Sequence, residues 1–205
     1  MKIKICGITN KIDAVNAASL GVDMLGFVFY KKSKRYVEPS AAKEIINELP
    51  PGIGKVGVFV DEEPEKVRSI AEDTGLDLLQ FHGSETPEFC SSFRNDYKVI
   101  KAFRIKAKQD LKKINDYDVD YYLLDTYKAD TIGGTGEVFD WKLLKDFELL
   151  KPLILSGGLN AANVGTAIAE VSPYGVDVST GVEDKPGKKD AELMKKFVEK
   201  VRKAE

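Results

Sequence analysis

The stretch Leu153-Ile-Leu-Ser-Gly-Gly-Leu-Asn160 decides the fold, because it joins a short apolar run to a glycine turn and a helical pattern. The apolar run is too continuous for a half-exposed strand, so it predicts a strand buried on both faces, as parallel strands are. Asn160 stands where a helix N-cap belongs, ahead of Ala161–Ala169. The stretch therefore predicts one unit of strand, loop and helix.

The same unit repeats along the chain in both directions from this stretch. Short apolar runs alternate with longer amphipathic segments, and no low-complexity linker separates them. Eight of these runs are predicted strands: Lys2–Cys6, Met24–Phe29, Lys55–Phe59, Leu78–Phe81, Val99–Ala102, Tyr121–Leu124, Leu153–Leu155 and Gly175–Val178.

Helix boundaries are marked between the strands. Asn10 is a predicted N-cap, and Pro39, Pro64 and Pro87 stand in predicted first turns, where proline loses no hydrogen bond. Gly21 and Gly75 stand where left-handed residues end helices. Repeated units of this kind predict an α/β protein, a single (β/α)8 TIM barrel spanning 1–205 as one domain. An open doubly wound sheet is the alternative, which the even repeat disfavours.

Composition narrows the class of partner. The chain has 31 basic and 33 acidic residues, a net charge of −2, so it lacks the positive excess typical of nucleic-acid binders. Two cysteines cannot form a disulfide framework, and one histidine argues against a zinc site. The start MKIKICGITN has no apolar signal-peptide region, and no run reaches the ~18 apolar residues of a membrane span. We therefore expect a cytoplasmic protein.

The loops after the strands are where barrels carry their chemistry. Gly157 and Gly158 follow the seventh strand and precede a helix, where backbone N–H groups and the helix dipole favour an anion. Ser179, Thr180 and Gly181 follow the eighth strand. Tight turns would explain each loop alone, but the two together predict a phosphate site.

Single side chains at strand ends are further candidates. Cys6 is either a small buried hydrophobe or a thiolate base, and Asp125 is either a helix cap or a general acid. The basic run Lys31–Arg35 is either a solvated surface or the source of an anion clamp, for which Arg35 has the best geometry. His82 is either structural or part of a site. The glycine-rich stretch Lys128–Phe139 has the composition of a lid, and Cys90 is expected to pack.

These motifs together resemble the phosphoribosylanthranilate isomerase family, in family order over nearly the whole chain. The matching segments are Lys4-Ile-Cys-Gly-Ile-Thr9, Gly26-Phe-Val-Phe-Tyr30, Ser33-Lys34-Arg35, Val56-Gly-Val-Phe-Val60, Leu79-Gln-Phe-His-Gly83, Leu124-Asp-Thr126, Gly133-Gly-Thr-Gly136, Phe139-Asp-Trp141, Leu155-Ser-Gly-Gly-Leu-Asn160 and Val176-Asp-Val-Ser-Thr-Gly-Val182.

The resemblance implies an Amadori rearrangement of N-(5-phosphoribosyl)anthranilate, the third step of tryptophan synthesis from chorismate. It implies Cys6 as a general base held ionised, Asp125 as a general acid held neutral, and Arg35 as the partner of the anthranilate carboxylate. Phosphate would bind at Gly157, Gly158, Ser179, Thr180 and Gly181. His82 and Asp177 would contact the rest of the substrate. No cofactor or metal is implied, and the protein would be a monomer or a homodimer.

Two other functions are compatible with part of this pattern. A related phosphosugar isomerase of histidine biosynthesis would carry aspartates at the ends of the first and fifth strands, where this chain has Cys6 and Ala102-Phe103-Arg104. A catalytically silent barrel that senses a phosphorylated metabolite would keep the glycine loops but could lose Cys6 or Asp125. Both residues are present, which favours the isomerase.

Overall fold

Eight parallel strands pair in sequence order and close into a barrel, which confirms the predicted fold class. The computed structural model describes residues 1–105, 108–126, 144 and 147–205. The barrel strands are β1 Lys2–Cys6, β2 Met24–Val28, β3 Gly54–Phe59, β4 Leu78–Phe81, β5 Lys98–Ile105, β6 Tyr121–Thr126, β7 Leu153–Leu155 and β8 Gly175–Val178.

The predicted strands all exist, and the largest boundary differences lie at the carboxyl ends of β5 and β6. β5 runs to Ile105 instead of Ala102, and β6 runs to Thr126 instead of Leu124. The extension pairs Arg104 with Asp125 across the two strands. Polar residues at the carboxyl ends of these strands resemble loop sequence, but the neighbouring strand supplies their backbone partners. Asp125 consequently lies on regular strand backbone.

Helices pack around the outside of the strands. They are α1 Lys11–Ser19, α2 Pro39–Asn47, α3 Pro64–Thr74, α4 Pro87–Ser91, α5 Val164–Val171 and α6 Ala191–Ala204. Shorter elements are the 3₁₀ segments Lys108–Asp116 and Thr180–Val182 and the hairpin of β9 Glu183–Lys185 with β10 Lys188–Lys189. Asn10 caps α1 as predicted, because its side chain accepts from the Asp13 N–H at 2.9 Å. Gly75 ends α3 in the left-handed region, with φ 70°.

The predicted cap at Asn160 is wrong, because α5 begins at Val164 with Asn163 as its N-cap residue. The Asn160 side chain accepts from the Ala162 N–H at 2.8 Å, and the Asn163 side chain accepts from the Asn160 N–H at 2.8 Å. These two bonds close a turn over the positions where the helix was expected. The glycine pair is therefore followed by a turn before the helix starts.

Alternating residues on the strands build two apolar layers. Ile3, Ile5 and their counterparts on the other strands pack outward against the helices. A separate cluster fills the barrel interior: Met24, Val56, Leu78, Ile100, Ala102, Leu123 and Ile154. Because successive side chains of a strand point to opposite faces, the interior row continues toward the carboxyl end as Leu78, Gln80 and His82 on β4. The apolar layer thus supports a polar layer above it.

The described part of the chain has no helix with the length and apolarity needed to cross a membrane. The stretch Lys128–Phe139, with its expected lid, lies outside the described residues, as do the segments at 133–136 and 139–141.

Candidate active site

A cavity of about 1050 Å³ opens at the carboxyl ends of the barrel strands. Every site residue predicted from the sequence lines it except Gly181: Cys6, Arg35, His82, Asp125, Gly157, Gly158, Asp177, Ser179 and Thr180. Val28, Val58 and Phe103 add apolar wall. One cavity therefore combines a thiol, a carboxyl, a guanidinium and two glycine-bearing loops.

Cys6 ends β1 next to a buried ion pair. The Lys4 ammonium donates to Asp177 Oδ1 at 2.9 Å, and the two residues are direct neighbours in the β1–β8 register. The Lys4 side chain is fully buried and that of Asp177 is 6% exposed. The Ser156 hydroxyl donates to Asp177 Oδ2 at 3.1 Å, so both carboxylate oxygens are engaged. Buried charges persist only when paired in this way.

Burial and the neighbouring charges shift the pKa values of Cys6 and Lys4. Burial raises the pKa of the Cys6 thiol above its usual value, although the positive charges of Lys4 and Lys189 oppose the rise. Burial would also lower the pKa of Lys4, but the charges of Asp177 and Cys6 outweigh it and the pKa of Lys4 is raised. Burial and the charge of Asp177 therefore act against an ionised Cys6, whereas the charges of Lys4 and Lys189 act in its favour.

Arg35 reaches into the cavity and is aimed by an acidic residue from the β9 strand. Its Nε and Nη2 atoms donate to the two carboxylate oxygens of Glu183 at 2.7 and 2.6 Å. Lys189 donates to the same carboxylate at 2.9 Å and to the Ser179 carbonyl at 3.1 Å. Burial lowers the pKa of Lys189, and the hydrogen bond with Glu183 offsets this only in part. Two cations share one carboxylate, so the group is net positive and suited to an anionic ligand.

His82 lies between a carboxyl and an amide. Its Nε2 atom is 3.3 Å from Asp125 Oδ2, and its Nδ1 atom is 3.1 Å from Gln80 Nε2. The loop that follows His82 is fixed from below by Lys101, whose ammonium donates to the Gly83 carbonyl at 2.8 Å and to Glu85 at 2.7 Å. His82 is thus held on both sides and cannot be regarded as an isolated structural histidine.

The two glycine-bearing loops meet at one side of the cavity. Gly157 and Gly158 have φ of 85° and 68°, a conformation that favours glycine. Neither N–H bonds to another residue in the described ranges. A Cβ on Gly181 would lie 2.0 Å from the Leu159 carbonyl oxygen, so the close contact of the two loops requires glycine there. The arrangement can bind a phosphate through backbone donors.

Several residues of the site were missed from the sequence. Lys4 and Gln80 interrupt apolar strands at interior positions, and a polar residue in a doubly buried strand could have drawn attention to both. Glu183 and Lys189 gave no such indication, because they belong to a short hairpin that the sequence pattern does not predict.

Fold and cavity together define a (β/α)8-barrel protein with a potential acid, a potential base and an anion-binding loop pair at the catalytic end. Comparison with known proteins identifies the family. A family model described as N-(5'phosphoribosyl)anthranilate (PRA) isomerase matches residues 3–200. The chain therefore belongs to the N-(5′-phosphoribosyl)anthranilate isomerase family.

Individual relatives match over their full length. The N-(5'-phosphoribosyl)anthranilate isomerase of Geobacter sp. (strain M21) is 48% identical over 98% of both chains. A phosphoribosyl anthranilate isomerase solved with reduced 1-(o-carboxyphenylamino)-1-deoxyribulose 5-phosphate has a TM-score of 0.87 and 41% identity, covering 99% of each chain. Monomers generated from the dimeric Thermotoga maritima enzyme have a TM-score of 0.88 and 42% identity, again over 99% of each chain.

Proposed function

We propose that this chain isomerises N-(5′-phosphoribosyl)anthranilate to 1-(2-carboxyphenylamino)-1-deoxyribulose 5-phosphate, an aldose–ketose isomerisation of tryptophan biosynthesis, by general acid–base catalysis. The observation that carries the proposal is the shared cavity. Cys6 and Asp125 line it together with Arg35 and the loops at Gly157–Gly158 and Ser179–Thr180. A base, an acid and sites for both substrate anions are thereby present in one place.

Asp125 is the general acid. In its neutral form it donates a proton to the furanose ring oxygen, the bond from that oxygen to the first sugar carbon breaks, and the nitrogen lone pair forms an iminium cation. The carboxyl becomes a carboxylate. It lies at the end of β6 on regular strand backbone, which fixes its position relative to the barrel axis.

Cys6 is the general base. As a thiolate it removes the proton from the second sugar carbon, and the bonding electrons neutralise the iminium to give an enolamine. Because burial raises the pKa of the free thiol, the thiolate needs a cation nearby. The substrate iminium adds positive charge to that of Lys4 when proton removal takes place. Tautomerisation of the enolamine adds a proton to the first sugar carbon and removes one from the hydroxyl on the second sugar carbon. The Cys6 thiol can supply the first proton and the Asp125 carboxylate can accept the second, which restores the base and the acid.

We assign binding of the substrate to the two anion-binding parts of the cavity. Arg35 pairs with the anthranilate carboxylate, and the apolar wall at Val28 and Val58 faces the aromatic ring. Phosphate binds to the backbone of Gly157, Gly158 and Gly181 and to the hydroxyls of Ser179 and Thr180. His82 and Asp177 contact the sugar portion between these ends. The net positive charge of Arg35 and Lys189 over Glu183 supports this orientation.

We also propose a domain organisation, a cellular location and an oligomeric state. We take residues 1–205 as one domain working in the cytoplasm on a small phosphorylated substrate, as a monomer or a homodimer. The relative from Thermotoga maritima is described as dimeric and also exists as generated monomers, which supports either state.

Turnover of freshly prepared substrate, followed by loss of its anthranilate-type fluorescence, tests the proposal. Wild type should turn over, and Cys6→Ala and Asp125→Ala should each be slower by about 10² or more, the scale expected for losing a general acid or base. A folded wild type without turnover would leave a barrel that only binds a phosphorylated metabolite. Full turnover by either variant would remove that residue from its role.

A further inference from the structure

Gln80, His82 and Asp125 form a line of contacts from the buried barrel interior to the cavity. Gln80 is 1% exposed, and its Nε2 atom lies 3.1 Å from Nδ1 of His82. On the other side of the ring, Nε2 lies 3.3 Å from Asp125 Oδ2. Gln80 lies on the inner face of β4, and His82 directly follows that strand. Asp125 comes from β6.

The amide nitrogen of Gln80 determines which ring nitrogen carries the proton. An amide N–H₂ group only donates, so Nδ1 of His82 must be the unprotonated, accepting nitrogen. The neutral ring then carries its proton on Nε2, the atom that lies 3.3 Å from Asp125 Oδ2. An imidazolium would place an N–H on Nδ1 against the amide N–H₂, which is repulsive. The contact geometry therefore selects one tautomer of the neutral ring.

We propose that Gln80 is a positioning residue that holds His82 as the neutral, Nε2-protonated tautomer, so that His82 orients Asp125 without placing a full positive charge beside it. The inference rests on the proposed role of Asp125 as general acid. It extends that role to Gln80 on β4, a lining residue of the same cavity, which acts through His82 and Asp125.

A neutral ring suits a general acid better than a charged one. An imidazolium in contact with the carboxyl would favour the carboxylate, which has no proton to give. A neutral N–H still fixes one carboxyl oxygen and leaves the other for the substrate. It also stabilises the carboxylate formed when the proton has left. Other charges nearby are the ion pair of Lys101 and Glu85, at 2.7 Å, and Arg104, which is the register neighbour of Asp125 and lines the cavity.

A purely structural role explains Gln80 poorly. Its Oε1 atom is buried and has no hydrogen-bond partner among the residues that the structure describes. An unsatisfied buried acceptor costs free energy, and an apolar side chain of similar size removes that acceptor, which offsets the loss of the contact to His82 Nδ1. We therefore expect Gln80→Leu to fold at least as stably as wild type and to lose activity.

Nitrogen-15 NMR of the imidazole at neutral pH reads the tautomer directly, and His82 is the only histidine in the chain, so its ring signals need no assignment. Wild type should show the separated ring shifts of a neutral Nε2–H imidazole. Gln80→Glu offers a carboxylate to Nδ1 and should move the ring to the Nδ1-protonated or doubly protonated form. Its kcat should fall roughly 10- to 100-fold, as for other residues that orient a catalytic group, with KM little changed.

Gln80→Leu should lose the tautomer preference and lower kcat while its Tm is unchanged or raised. Thr74→Val is the matched control, because it also removes a buried polar group but lies in α3, away from the cavity. It should leave both the ring spectrum and kcat at wild-type values. A Tm that falls in Gln80→Leu while kcat is retained would assign the amide a structural role and overturn the inference.

A wild-type ring that is doubly protonated or carries its proton on Nδ1 would also overturn it, as would a Gln80→Glu variant with wild-type ring shifts and kcat. These results are separable from failure of the proposed function. A wild type with no turnover contradicts the isomerase itself, whereas the ring spectrum decides the tautomer whether or not turnover occurs.

Discussion

Arg35 and Glu183 form a bidentate ion pair across the cavity rim, with donor–acceptor distances of 2.7 and 2.6 Å between residues 148 positions apart. The pair uses the Nε–Nη2 edge of the guanidinium, so Nη1 is not engaged by Glu183. Since Lys189 links Glu183 to the Ser179 carbonyl, a single carboxylate connects the proposed anthranilate clamp to the proposed phosphate loop. Both ends of the substrate would therefore be positioned by the β9–β10 hairpin.

The first prediction concerns this carboxylate. Glu183→Gln removes a charge and one good acceptor from Arg35, so the guanidinium is held less firmly and KM should rise roughly tenfold, equivalent to ~1.4 kcal/mol. The chemical groups remain, so kcat should change much less. Asp184→Asn in the same hairpin breaks an exposed ion pair with Lys188 and should change neither constant. Steady-state kinetics decides this. A loss confined to kcat would contradict a role in binding.

Acid stability gives a second prediction from the same residue. Burial would raise the pKa of Glu183, but the hydrogen bonds and charges of Arg35 and Lys189 outweigh it and hold the pKa below its ordinary value of 4.5. A carboxyl with a depressed pKa in the folded state adds stability above its unfolded value, and that stability is lost as pH falls through the folded pKa. The free energy of unfolding, measured in urea, should therefore fall less steeply below pH 4.5 in Glu183→Gln than in wild type. Equal slopes would show that the pair is energetically neutral.

The barrel fold and the site candidates Cys6 and Asp125 could be predicted from the sequence, because both predictions depend on local patterns. Buried parallel strands are continuous apolar runs, and Cys6 and Asp125 interrupt them at the end where barrels carry sites. Glu183 could not be predicted, since its importance arises from a contact with Arg35 that only the closed fold creates. The start of α5 differs from the prediction because Asn160 and Asn163 have equal capping propensity, and local hydrogen bonds between the two residues close a turn before the helix.

A third prediction compares two glycines close to the phosphate loops. Gly181→Ala places a Cβ 2.0 Å from the Leu159 carbonyl oxygen and must push the two loops apart. Its KM should rise by at least tenfold, roughly the effect of losing one hydrogen bond to a charged group. Gly165→Ala on α5 has no atom within 4 Å of the new Cβ and should stabilise the helix by up to ~1 kcal/mol. Kinetics and thermal unfolding of the pair check this. A normal KM in Gly181→Ala would place the phosphate elsewhere.

The last prediction concerns the cation beside Cys6. Lys4→Met removes a positive charge that opposes the effect of burial on the thiol, so the pKa of Cys6 should rise further and its alkylation by iodoacetamide should shift to higher pH. Turnover at neutral pH should fall for the same reason and recover partly as pH rises. The second thiol does not interfere, since Cys90 is fully buried and burial raises its pKa to about 12. A Cys90→Ala background removes it altogether.

Lys4→Met also leaves Asp177 buried without its partner, which is expected to cost about 3–5 kcal/mol of stability. The double variant Lys4→Met, Asp177→Asn removes both charges and should restore most of that stability, while the alkylation profile stays shifted because the effect of Lys4 on Cys6 exceeds that of Asp177. A pH profile of alkylation that matches wild type in a folded single or double variant would show that Lys4 contributes only to stability and does not affect the pKa of Cys6. Cys6 would then depend on the substrate cation for its ionisation.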